Sequence, residues 1–277
     1  MYPMNQIERC LNREEILVAG HRGMKALYPE NTLFSMGKAL RAGVDMIETD
    51  LNRTKDGEIV LLHDLRVDRT TTGSGPVGSM TLKELKSLDA GSPFSPEYRG
   101  LAVPTLREFC AFLRTWPELL LNIEFKDYAR ETMDEAVSVL GQEGLLGRCV
   151  FACFHADVCA YLHDAYGLKV QGFPEEYMIG WQEDTYSKLF AVGISLAPFA
   201  DMPNMRVLTP ETVREFEELG LEPWCFCPDD ERSVEWAVAC GAKLMTCNNP
   251  LPALRVLEQR GLHPRRIAQG SLPGSCR

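Results

Sequence analysis

The sequence predicts an α/β protein built as a (β/α)8 TIM barrel with a short insertion after an early strand. Three observations carry that expectation. Apolar runs of strand length alternate with stretches whose apolar residues recur at helical spacing, the pattern of a parallel sheet with helical crossovers. Nine strand-like runs follow one another, one more than a barrel needs. The 277 residues match the roughly 250 that such a barrel uses as a single domain.

The elements follow in order. Ile16–Gly20 is a short apolar run ending in glycine, and the stretch Asn31–Ala42 places Leu33, Phe34, Met36 and Leu40 at helical spacing. Val44–Leu51 is the second strand and Glu58–His63 the third, entered through the turn residues Lys55, Asp56 and Gly57. These two lie too close for a helix between them, so they form a hairpin or a short excursion. Residues 65–103, rich in Gly, Ser, Thr and Pro, form the insertion. It carries one short helix, Thr81–Leu88, with Thr81 as cap and Glu84 at capping-box spacing.

After Pro104 the alternation resumes. Helices are expected over Thr105–Arg114, Met133–Gln142, Val158–Tyr166, Asp184–Phe190, Pro210–Leu219, Asp230–Cys240 and Leu251–Gln259. Strands are expected over Leu119–Phe125, Cys149–Phe154, Lys169–Phe173, Val192–Leu196, Glu222–Cys227 and Lys243–Cys247. One domain is thus expected over residues 1–260, with 261–277 as a polar, mobile tail.

Composition narrows the function. With 45% hydrophobic and 25% charged residues, the chain is neither collagen-like nor disordered. The net charge of −10 repels nucleic acid and anionic membranes, so neither is an expected partner. No run approaches the ~20 apolar residues of a membrane helix, and Met1–Glu15 has no apolar signal core. A cytoplasmic enzyme without a stable membrane anchor is expected. The ten cysteines are scattered, many within apolar runs, and read as reduced, buried small residues. Cys225, Cys227 and Cys247 resemble a metal site only weakly, for want of a second pair at zinc spacing.

In such barrels the active site lies at the C-terminal ends of the strands. The first strand ends at His21-Arg22, the second at Glu48-Thr49-Asp50, the third at His63-Asp64, and the strand from Leu119 at Glu124-Phe125-Lys126. Residues i and i+2 share a face, so Glu48 points with Asp50 and Glu124 with Lys126. Three inward carboxylates need compensation. Glu48, Asp50 and Glu124 form an all-oxygen set suited to one divalent cation, Mg2+ or Ca2+. His21 and His63 can then act as acid and base, while Arg22 and Lys126 supply positive charge for a phosphate. Taken singly, each of these residues has a bland reading as a solvated or salt-bridged side chain. Their placement at successive strand ends does not.

These stretches resemble the glycerophosphodiester phosphodiesterase family. The resemblance rests on Gly20-His-Arg-Gly23, Pro29-Glu-Asn-Thr32, Ile47-Glu-Thr-Asp-Leu51, Leu62-His-Asp64, Arg69-Thr-Thr-Thr-Gly73, Leu88-Asp-Ala-Gly91, Pro104-Thr-Leu106 and Asn122-Ile-Glu-Phe-Lys126, with Trp224 and Asn249-Pro250 further on. It covers roughly residues 21–254. It implies the barrel, a divalent metal on Glu48, Asp50 and Glu124, His21 and His63 as the acid/base pair, and phosphate held by Arg22 and Lys126. It implies a small-molecule glycerophosphodiester as substrate and sn-glycerol 3-phosphate and an alcohol as products. A substrate hydroxyl attacks phosphorus, and water then opens the cyclic phosphate.

Trp224 resembles the family's pocket-lining aromatic, with core packing as the alternative. Glu30 is read as buttressing His21 or a metal ligand, or as helix-start chemistry. Asn31 or Thr32 reads as a helix cap, and Asp64 as orienting the loop or His63. The chain departs from the family's usual residues at Cys153, at Cys225–Cys227 and at Cys247-Asn248, which bears on substrate choice. A lysophospholipid or sugar phosphodiester is the alternative substrate, and a catalytically silent phosphodiester-binding barrel the alternative class.

Overall fold

The computed structural model describes residue 7 and residues 14–263. Nine strands are described: β1 (Leu17–His21), β2 (Met46–Arg53), β3 (Ile59–Leu61), β4 (Leu120–Phe125), β5 (Cys149–Ala152), β6 (Val170–Gly172), β7 (Ala191–Ser195), β8 (Glu222–Phe226) and β9 (Leu244–Cys247). Eight of them pair in parallel, in the cyclic order β1-β2-β4-β5-β6-β7-β8-β9, and β9 closes on β1. The (β/α)8 barrel is therefore complete.

β3 is the extra strand. It runs antiparallel to the end of β2, pairing Leu51 with Leu61 and Arg53 with Ile59. His63 thus follows a hairpin strand and not a barrel strand, the hairpin being one of the two arrangements expected from the short spacing of these runs. β2 overshoots the barrel mouth, turns at residues 54–57, and returns to bring His63 down beside Asp50, whose carbonyl accepts from the Leu62 N–H at 3.0 Å.

The helices are α1 (Leu33–Ala42), α2 (Leu82–Lys86), α3 (Leu106–Leu113), α4 (Arg130–Gln142), α5 (Ala156–Tyr166), α6 (Pro210–Glu218), α7 (Glu231–Cys240) and α8 (Leu251–Gln259). Their starts follow from capping chemistry. Thr32, Thr81, Thr105, Thr209 and Asp230 each accept a backbone N–H of the first turn, and Thr81–Glu84 and Thr105–Glu108 are full capping boxes. The helix expected over Asp184–Phe190 is only a 3-10 turn, Thr185–Lys188. Phe190 already donates its N–H to Val170 O of β6 at 2.8 Å, and the sheet claims the end of that segment.

Three apolar clusters hold the molecule together. The largest lies between the strands' outer faces and the helices. The second fills the lower half of the barrel interior with Ile7, Leu17, Ala19, Met46, Leu120, Val150, Ala191, Trp224 and Leu244. The third gives the insertion its own small core around Val67, Val77, Leu85 and Val103. Each fully buried aliphatic side chain contributes about 1.5–3 kcal/mol relative to exposure, so the insertion is an ordered part of the domain.

The predicted mobile tail begins too early. Leu262 O accepts from Ile16 N at 2.8 Å, and His263, buried, meets Asp45 Oδ2 at 2.8 Å. The remainder of that expectation, 264–277, lies outside the described residues. Among the described residues eight cysteines are free thiols, and no helix is long and apolar enough to cross a membrane.

Candidate active site

The barrel interior is layered, and the layers place the site. Inward residues of the lower layers are apolar. Two residues further along the same strands, the inward positions are His21, Glu48, Asn122, Ala152, Gly193, Phe226 and Thr246; all of these except Gly193 line a cavity of about 310 Å3. Small side chains on β5, β7 and β9 leave this space open, and the acids of β2 and β4 bound its other side.

His21 ends β1, and the next two residues take left-handed backbone, Arg22 with φ 52° and Gly23 with φ 87°. A non-glycine residue there is uncommon and strained. The turn aims the Arg22 N–H at both the carbonyl (3.0 Å) and the carboxylate (2.9 Å) of Glu48. Gly23 permits the turn, because a Cβ there would lie 2.5 Å from Ser35 Oγ.

Glu48, Asp50 and Glu124 offer ligand atoms all within 4.8 Å of one another. Asp50 and Glu124 are cross-strand neighbours. Glu48 Oε1 and Asp50 Oδ1 are buried with no hydrogen-bond partner. Orphaned buried carboxylate oxygens are costly, and an all-oxygen donor set with open valences fits a hard divalent cation. Burial and the nearby Asp50 push the Glu48 carboxyl well above its ordinary value. Burial likewise raises Glu124 against the pull of Lys126.

Two cations balance the acids in part. Arg22 Nε lies 3.0 Å from Asp50 Oδ2. Lys126 pairs with Glu124, stands 3.5 Å from Asp50 Oδ1, and lies over the Phe154 ring. Burial opposes its charge, but Glu124 and Asp50 outweigh burial and keep the ammonium protonated.

Asn31, read with Thr32 as a helix cap from sequence, is a tether. It has φ 55°, donates from Nδ2 to Asp50 Oδ2 at 2.8 Å, and accepts the Thr49 hydroxyl at 2.8 Å. Thr32 is the cap of α1. Glu30 touches neither His21 nor an acid. It receives Arg22 at 3.0 Å and Arg69 at 2.8 Å. Burial pushes its carboxyl up, but Arg69 and Arg22 prevail and lower it to about 2. Arg69 also grips both oxygens of Asp64, at 2.8 and 3.0 Å, and Asp64 meets His63 Nδ1 at 2.6 Å. Alternating charges thus run from His63 to Asp50 through Asp64, Arg69, Glu30 and Arg22.

His21 Nδ1 lies 2.7 Å from Asn248 Oδ1, with the Cys227 thiol at 3.5 Å. Asn248 Nδ2 donates to Asp229 Oδ2 at 2.6 Å. Since Asp229 can only accept, the amide oxygen is the atom turned to His21, and the imidazole proton sits on Nδ1. Its Nε2, 3.6 Å from Glu48 Oε2, faces the acids. Burial, with the charges of Arg22 and Lys25, holds the His21 imidazole well below the ordinary histidine value. Burial lowers His63 as well, against the charge of Asp50.

Trp224 is not where the family pattern put it. It is 2% exposed and belongs to the lower plug. Trp224 and Phe226 both point inward by the two-residue period, and Phe226, one layer higher, lines the cavity. Phe154, Phe173 and Phe199 complete the apolar wall. Sequence reasoning quoted Arg69 within a motif without giving it a role, and it missed the parts played by Asn248 and Asp229. A buried-looking Asn in a Pro-Glu-Asn-Thr turn was the available hint for Asn31. Nothing local announces Asn248, 227 residues from His21 in sequence.

Residues 21–251 match the glycerophosphoryl diester phosphodiesterase family. The chain belongs to this family. Glycerophosphodiester phosphodiesterase from Caldanaerobacter subterraneus subsp. tengcongensis is 44% identical over 249 residues, 88% of this chain and 99% of that protein. YhdW of Bacillus subtilis is 42% identical over 127 residues, 45% of this chain, and the match spans 51% of its length. An Oleispira antarctica phosphodiesterase, solved with the product sn-glycerol-3-phosphate, superposes with a TM-score of 0.77 at 25% identity, covering 88% of this chain and 97% of its own. The acids, histidines and cations that meet at the cavity all lie within the residues that the family model matches.

Proposed function

We propose that the protein hydrolyses glycerophosphodiesters to sn-glycerol 3-phosphate and an alcohol, with one divalent cation, Mg2+ or Ca2+, held by Glu48, Asp50 and Glu124. The observation that carries this reading is the cavity lined by Glu48, Glu124, His21, His63, Arg22 and Lys126, with the buried Asp50 within reach of the two glutamates. When bound, the cation supplies Lewis-acid polarisation of the phosphoryl group and acidifies an adjacent hydroxyl.

The chain's own groups do the rest. Arg22 and Lys126 neutralise the non-bridging phosphate oxygens. His21, its proton fixed on Nδ1 by Asn248, presents the Nε2 lone pair and takes the proton of the glycerol hydroxyl next to phosphorus. His63, with Nδ1 on Asp64, is the partner whose imidazolium a carboxylate supports, and it protonates the departing alcohol. Water opens the resulting cyclic phosphate with the two histidines exchanging roles. The Phe154, Phe173 and Phe226 wall keeps bulk water from the reacting atoms.

Turnover of sn-glycero-3-phosphocholine by the purified protein tests the reading. Glycerol 3-phosphate release should vanish in EDTA and return with one of Mg2+, Ca2+ or Mn2+. Absence of release with every metal would overturn it.

A further inference from the structure

The polar floor of the cavity has no part in the chemistry above. Asn122 of β4 and Gln171 of β6 are 4% and 7% exposed, and Asn122 Nδ2 donates to Gln171 Oε1 at 2.9 Å. That bond uses one N–H of Asn122 and one lone pair of Gln171, and leaves the acceptor Asn122 Oδ1 and the donor Gln171 Nε2 outside it. Neither atom is among the buried groups without a partner, and both residues line the cavity, so the two atoms open onto it. Exchanging O and N in both amides leaves the same pair of functions.

The fold makes room for this pair. A Cβ at Gly193 of β7 would lie 2.5 Å from Gln171 Nε2 and 2.9 Å from the Phe173 ring. One layer below, Leu120 of β4 and Ala191 of β7 fill the barrel with apolar atoms. Packing therefore does not call for amides at this depth, and their unused donor and acceptor face the space that a ligand would fill.

We propose that Asn122 and Gln171 select substrates by a free terminal hydroxyl on the glycerol. This rests on the phosphodiesterase reading. Arg22 and Lys126 hold the phosphate, and the hydroxyl beside it lies by His21 and the acids. The leaving alcohol departs on the His63 side, where an outer cleft with Leu65, Arg66 and Tyr128 opens to solvent. The group left for the floor is the glycerol's terminal hydroxyl, at once a donor and an acceptor, the complement of the two free amide functions. An acylated terminal oxygen has no proton for Asn122 Oδ1 and carries a chain into a closed floor, so lysophospholipids are excluded.

The test compares ligands differing only in that hydroxyl. Calorimetry with the metal-loaded protein should show glycerol 3-phosphate binding at least tenfold tighter than 2-hydroxypropyl phosphate, because sites built around a hydroxyl discriminate strongly against its absence. Kinetics should show the same preference for glycerophosphocholine over its deoxy analogue, which keeps the attacking hydroxyl. In Gln171→Met, and in Gly193→Ala, which crowds the same amide from behind, the ratio should fall below tenfold while turnover of the deoxy analogue stays within about threefold of wild type. Wild-type protein that binds both phosphates alike, or neither, overturns the proposal, as does a ratio that persists in both variants. Wild type that discriminates in binding yet hydrolyses no phosphodiester would uphold the selector and sink the catalytic reading.

Discussion

Three strands pass from one layer of the barrel interior to the next within two residues: Met46 to Glu48, Leu120 to Asn122, and Trp224 to Phe226. Below the step the residues form a closed apolar plug. Above it they line a cavity beside two buried carboxylate oxygens that no hydrogen bond satisfies. Backbone geometry is the same on both sides, since the strands continue in register. The difference is chemical, and it shows how one barrel separates stability from function. The lower layer is filled for packing, whereas the upper layer holds like charges together at a cost that Arg22 and Lys126 offset only in part.

The strongest way to sharpen this contrast lies in the upper layer. His21→Ala and His63→Ala should each lower kcat/KM by about 10²–10⁴-fold with little change in urea stability. A glycerol phosphodiester whose leaving group is 4-nitrophenol needs no protonation on departure, so it should restore much of the His63→Ala rate and little of the His21→Ala rate. Equal rescue of both would break the assignment of His21 as base. Glu124→Gln should cost about 10³-fold in activity, several kcal/mol of transition-state stabilisation. Yet its melting temperature in EDTA should equal or exceed wild type, because one of three crowded buried acids is gone.

The plug should respond in the opposite sense. Trp224→Ala should remove about 3–5 kcal/mol of stability, read by urea unfolding, with KM nearly unchanged where the protein is folded. Phe226→Ala, two residues on, should raise KM with a smaller loss of stability. If Trp224→Ala altered KM more than Phe226→Ala, the layering would be wrong.

The smallest effect is the pH dependence of stability without metal. Glu48 and Glu124 are raised by burial in the folded state, so the folded protein retains protons that the unfolded chain has released. Their contribution falls as pH rises above the ordinary glutamate value near 4.5. Glu30 is lowered to about 2, so its contribution is present above about 4.5 and is lost as pH falls towards 2. In EDTA the melting temperature should therefore decline as pH rises from about 4.5, less steeply in Glu124→Gln, and a divalent cation should remove the decline.

Much of this was legible in the sequence. The alternation of strand and helix patterns led to the barrel, and the i, i+2 rule put Glu48 with Asp50 and Glu124 with Lys126 before any coordinates. Those are local facts, set by backbone periodicity and by which residue follows which. Even the insertion's helix was marked by its capping box at Thr81.

Depth and distant partners were not local. Trp224 and Phe226 have the same periodicity, and only the packing of eight strands decides which is sealed and which lines the cavity. His63 reaches the cavity on a returning hairpin, which the short spacing between the two strands suggested but whose path over the barrel mouth it left open. Asn248, Asp229 and Arg69 act through side chains that meet residues remote in sequence, and Asn31 through a left-handed turn. The residue types and their order along the chain determined the barrel and which titratable groups stand near its mouth. Tertiary closure alone decided which nitrogen of His21 meets Asn248, which aromatic lines the cavity, and where the amide floor lies, because each depends on atoms that only the closed barrel brings together.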